Sequence, residues 1–209
     1  AIDRRYNRAG EYYDQYGNVH YYDNETDNYE QHHLQLNYTR SLTDRLAWSS
    51  TFNYTRGDGY YENYKASDLF STYLLKNPVI DGIEQSTGDF ITREALANDY
   101  FVLNSDLRYR SERLNLTSGI SVSRYDGDHI GNVVWNNVLG DSYDYDGHQW
   151  YLNRGLKHDA NVFVRGELLL GERLTTFADL QYRVVWLDMS GPENDGVLLD
   201  HKADWHFFN

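Results

Sequence analysis

Six stretches of this chain alternate between apolar and polar side chains, and that period of two confines the fold to sheets with one dry face. In residues 29–40, His32, Leu34, Leu36 and Tyr38 fall on one side, against Gln31, Gln35, Asn37 and Thr39. In residues 46–56, Leu46, Trp48, Phe52 and Tyr54 oppose Ala47, Ser49, Thr51, Asn53 and Thr55. The pattern returns over residues 99–110, 114–125, 157–170 and 174–186, with Leu103, Ile120, Val164 and Leu180 at the centres of the apolar faces. Successive strand residues point to opposite faces, so each run predicts a strand that is apolar on one side and wet on the other. A seventh run begins near Ala203 and is cut off at the end of the chain.

The connections also alternate. Residues 41–45, 111–113 and 171–173 make short turns that lead into Asp44-Arg45-Leu46, Glu112-Arg113-Leu114 and Glu172-Arg173-Leu174. The intervening segments, 57–98, 126–156 and 189–202, are long and read as loops; Arg56-Gly57-Asp58 reads as the end of a strand and the start of the first of them. Compact soluble domains seldom carry repeated structureless loops beyond about 12–15 residues. Short turns on one rim and long loops on the other are the layout of a membrane barrel. Aromatic rings near the strand ends, Tyr38, Trp48 and Tyr109 toward the turns and Tyr54, Phe101 and Trp186 toward the loops, fit two interfacial girdles. The competing reading is a soluble β-sandwich or a surface sheet module that binds protein or glycan.

The predicted fold is therefore one all-β region over residues 1–209. It is an antiparallel up-and-down meander, part of a transmembrane β-barrel with long extracellular loops. The mean hydropathy of -0.75 is compatible with this, because barrel strands need only about 9–11 alternating residues. No apolar run reaches the ~18 residues of a spanning helix. Residues 1–10 lack an apolar h-region, so a secretory signal would lie upstream. An isolated piece of such a barrel is expected to self-associate through its open edges and apolar face.

The wet face carries Asp106, Arg108, Arg165, Glu167, Asp179 and Arg183, as suits the wall of an aqueous lumen. A formal charge of -13 argues against nucleic acid as a partner. With no Cys, disulfides, thiolate metal sites and Cys nucleophiles are excluded. No catalytic set can be assembled, and no cofactor is expected. His32 and His33 are strand neighbours facing opposite ways, so they cannot share a metal. Asp141, Asp144, Asp146, Gly147 and His148 have some oxygen-rich character but not the spacing of a calcium loop. Trp135, Tyr143, Tyr145, Trp150 and Tyr151 are the candidate ligand-binding residues. Rings beside acids can stack on a flat ligand or hold a cationic one, or they can pack the loop on itself.

Several segments carry a family resemblance: Arg5-Tyr6-Asn7 with the stretch from Gly10 to Asp14, the stretch from Tyr22 to Tyr29, the stretch from Gly57 to Lys65, and His206-Phe207-Phe208-Asn209. In this order the chain resembles the barrel of TonB-dependent outer-membrane receptors along essentially its whole length. The resemblance implies a place in the cell outer membrane, contact with its lipid, and a 22-stranded barrel around an N-terminal plug that couples to TonB. Neither plug nor TonB box is visible here, so no coupling residue can be assigned. The implied function of the parent is active uptake of a scarce small-molecule nutrient, with a lean to an iron chelate or cofactor-like ligand, and no enzymatic activity.

Overall fold

The computed structural model describes residues 10–14, 16–24, 27–145 and 148–209. Arg5-Tyr6-Asn7, Asp146 and Gly147 lie outside the described residues. Among the described residues eleven strands follow one another: β1 (Glu11–Tyr13), β2 (Val19–Tyr21), β3 (Asp27–Ser41), β4 (Leu46–Leu69), β5 (Val79–Ile80), β6 (Ile83–Glu84), β7 (Thr87–Arg110), β8 (Leu114–Asn136), β9 (Gln149–Leu170), β10 (Leu174–Pro192) and β11 (Leu198–Phe208). Seven form one antiparallel sheet in the order β11-β10-β9-β8-β7-β4-β3. The hairpins β1-β2 and β5-β6 stand apart. β3 and β11 are the edges, and the described sheet does not close. Among the described residues no helix is long and apolar enough to cross a membrane, which says nothing of a barrel.

The apolar sides of the runs join into one face. Cross-strand rows carry Leu36–Phe52–Leu103–Val122–Ala160–Val184 and Trp48–Leu107–Ser118–Val164–Leu180. Tyr38 meets Trp48 edge-on at 5.1 Å, and Tyr54 stacks on Phe101 at 4.7 Å. This face is largely uncovered, with Leu180 65% exposed. The three short turns all lie at one end of the sheet, and they step. The last pairs before them are Ser41–Ala47, Arg110–Asn115 and Leu170–Leu174. Ala47 sits across from Arg108, two residues short of Arg110, and Asn115 across from Glu167, three short of Leu170. The displacement totals five residues over four strand spacings.

The predicted long loops need correction. β4 and β7 each run for 24 residues and β8 for 23, so strand occupies much of residues 57–98 and 126–156, and β10 and β11 cover most of 189–202. Arg56 does not end a strand; it lies mid-β4 and donates to Asp99 at 2.8 Å. Above Tyr54, residues such as Arg56, Asp58 and Glu62 alternate with Gly57, Gly59 and Asn63, so neither face is dry and the period leaves no trace in polarity.

The buried core lies at the far end from the short turns. Phe70, Tyr73, Phe90, Val133, Trp150 and Tyr151 form one cluster, joined at its rim by Leu75, Val138, Leu139 and Tyr145. Asn136, fully buried, ties the β8–β9 connection to it: its Oδ1 accepts from the backbones of Val138 and Leu139, and its Nδ2 donates to the carbonyl of Asp89. On the other face, Glu62 is buried and accepts from Tyr22, Asn24 and Arg93. That bond set, with Tyr12 packed 4.2 Å from Tyr64, fastens the N-terminal hairpin to β4.

Candidate functional site

All six predicted wall charges project from the polar face. Asp106 accepts from Arg108 at 2.6 Å, Arg165 and Asp179 are direct cross-strand partners, and Glu167 lies across from Asn115. Arg183 pairs with Asp159 on the neighbouring strand. These are dispersed, partly exposed charges, and they form no catalytic constellation.

The five aromatic candidates do not form one ligand-facing patch. Trp135 and the pair Trp150–Tyr151 sit in strands β8 and β9, and Trp150 and Tyr151 are buried in the core. Trp150 meets Tyr73 edge-on at 5.2 Å. The Tyr145 hydroxyl donates to the Gly140 carbonyl and accepts from the Asn136 backbone, and the Trp135 indole donates to Asp141 at 3.1 Å. Tyr143 packs 4.9 Å from Tyr145. Trp135, Tyr143 and Tyr145 thus make their contacts within or next to the β8–β9 connection. Among the described residues, no group of three or more His, Asp or Glu is placed to hold a metal.

The structure brings together a different set. Asp27, Tyr61, Glu94, Gly131 and Tyr151 occupy one cross-strand row, and Tyr29, Gly59, Leu96 and His129 the next toward the short turns. By the alternation of each strand, both rows lie on the polar face, beside the buried core. They line an open cleft of about 420 Å³ with Asp27, Tyr29, Tyr61, Glu94, His129 and Tyr151 on its walls. Glu94 Oε2 accepts from Tyr61 at 2.6 Å and from Tyr151 at 3.3 Å. Burial, then the Glu94 hydrogen bond, pushes the Tyr61 hydroxyl up to about 12. Burial and the Glu94 charge push Tyr151 up as well. Both phenols therefore stay protonated and keep donating near neutrality.

Two glycines let the rings lie flat. A Cβ on Gly131 would stand 2.2 Å from the Tyr151 ring, and one on Gly59 2.6 Å from the ring of Tyr29 and 2.4 Å from the Asn28 carbonyl. Gly131→Ala should lift Tyr151 off the sheet at a cost of about 1–3 kcal/mol. Ultraviolet titration should then show one more tyrosine ionising in the ordinary range; an unchanged titration would mean the ring had not moved.

No known family model matches the chain, and no curated protein matches it in sequence.

Proposed function

We propose that this chain forms part of the wall of a transmembrane β-barrel in an outer membrane, in a TonB-dependent transporter that takes up a small nutrient and performs no catalysis. The observation that carries this reading is the apolar face. Across β4, β7, β8, β9 and β10 it presents a band about nine residues tall per strand with no charged side chain. Leu46 to Tyr54, Leu103 to Tyr109, Leu114 to Val122, Val162 to Leu170 and Leu174 to Tyr182 make up the band. Charges begin just above it, at Arg56, Asp99 and Arg124.

The stepping of the turns supports the same reading. With a rise of ~3.3 Å per residue and strands ~4.8 Å apart, five residues over four spacings tilt the strands about 40° from the normal to a plane through the turns. Barrel strands tilt by about 35–45°. In this frame Tyr182, rather than Trp186, lies level with Tyr54 in the upper girdle. The outer halves of β4, β7, β8 and β9 then rise above the lipid as a rigid palisade, and the polar face lines the lumen. The same uncovered face and the open edges of β3 and β11 make the isolated chain self-associate in water.

Growth of a strain lacking the parent gene tests the transport reading. Under nutrient limitation the defect should appear on an iron chelate or a corrinoid-like cofactor and not on a glycan. A defect confined to glycans would overturn the choice of nutrient, and growth unchanged on every scarce source would overturn transport.

A further inference from the structure

We infer that the cleft between β3, β4, β7, β8 and β9 binds an organic cation, an amine or quaternary ammonium group, between its tyrosine rings and the Glu94 carboxylate. The binding chemistry rests on the cleft alone; its place in uptake rests on the transporter reading. The cleft is aromatic, with Tyr29 49% and Tyr61 43% exposed, so their rings are open to an occupant. It is also negative, since Asp27 and Glu94 flank Tyr61 in one row and no Lys or Arg lines it.

Glu94 is half-buried, and its only donors among the described residues are two neutral phenols, both on Oε2. A partly desolvated carboxylate without a counter-charge is costly. Several other acids on the outer halves of these strands do have basic partners: Glu62 has Arg93, Asp99 has Arg56, and Asp126 has Arg124 and Arg154, while Asp89, like Glu94, is held by a tyrosine hydroxyl. Arg93, one residue from Glu94, points to the other face, where its guanidinium lies 4.0 Å from the Tyr60 ring centroid. The sequence therefore places a cation over a tyrosine on one face and leaves the matching position without Lys or Arg on the other, where His129 is the one imidazole on the cleft wall.

A hard metal ion is the poorer occupant. Calcium seeks 6–8 oxygen ligands, and no group of three or more acidic or histidine side chains is placed for one among the described residues. An alkylammonium head needs instead rings at van der Waals distance and one or two nearby carboxylates to balance its charge.

The test compares choline with 3,3-dimethylbutan-1-ol, a neutral molecule of the same shape, by calorimetric titration of the protein in detergent micelles. Choline should bind saturably, and the neutral analogue about tenfold or more weakly. Glu94→Gln, which removes the facing negative charge, should weaken choline about tenfold. Asp27→Asn, at an exposed position where misfolding is no concern, should weaken it severalfold, while Glu167→Gln, on the same face but outside the cleft, should change nothing. Equal binding of the neutral analogue, choline binding unaffected by both cleft variants, or no binding by the folded protein would each overturn the inference. None of these outcomes depends on transport, so failure here and failure of the growth test are distinguishable.

Discussion

Phe52→Arg should sharply lower the yield of folded protein in lipid vesicles, whereas Thr51→Arg should leave it near the parent level. Phe52 lies in the middle of the apolar band, with Leu36 and Leu103 on either side of it. An Arg facing lipid near mid-membrane costs roughly 2–4 kcal/mol. Thr51 faces the opposite way, donates to Asn37 at 2.9 Å and has Asn104 as its other cross-strand neighbour, a setting that accommodates another polar head. Because a slip of one residue would exchange the two sets, the contrast between adjacent positions isolates the direction of the face. Folding yield, read by heat-modifiable gel mobility, checks it. If Thr51→Arg proved the more damaging, the membrane assignment of this face would have to be abandoned.

Phe90→Ala should have the other large effect, and in a different place. Phe90 is fully buried, 5.0 Å from the Phe70 ring and 4.6 Å from the Tyr73 ring. Truncating a buried Phe costs about 3–5 kcal/mol. The loss should loosen residues 70–75 and the β8–β9 connection while leaving the banded half of the sheet intact. Hydrogen exchange should therefore accelerate at Leu75 and Leu139, whose backbone N–H groups bond to Phe70 and Asn136, and stay slow at Leu103 and Val164. Uniform acceleration across the sheet would mean that the two halves fold as one unit.

The banded half was legible because its physics writes itself into polarity. A strand with one dry face must alternate, and the short turns between such strands are marked by their own repeat. The outer half was not legible for the same reason. Arg56, Asp58, Tyr60, Glu62 and Tyr64 on one side of β4 are hardly more apolar than Gly57, Gly59, Tyr61 and Asn63 on the other. Gly57 and Gly59 fall in the segment that reads as a loop, yet they lie in continuous strand where the Tyr29 ring presses on the backbone. The cleft was hidden with them. Tyr61 and Glu94 are 33 residues apart within what reads as a single loop, and they meet only because the Leu46–Tyr109 register continues far past the band. Extending that register outward was the one signal that could have found the pair. Trp150 and Tyr151 show the reverse limit: an aromatic cluster next to acids carries no mark that tells a ligand platform from a small core.

The stepping of the three short turns has a geometric consequence for the mouth of the proposed barrel. Because successive turns drop toward β10, strands rising from them lean toward β3. Glu94 lies twelve residues along β7 from Asp106, about 40 Å at ~3.3 Å per residue, and a lean of about 40° carries it roughly 25 Å around the circumference. That is the width of about four strands. The cleft therefore overhangs a sector of wall beyond the free edge of β3, not the sector that carries Arg165 and Asp179. A solute descending from it along the barrel axis would follow a helical offset, leaving one set of strands at the rim and meeting another at membrane depth.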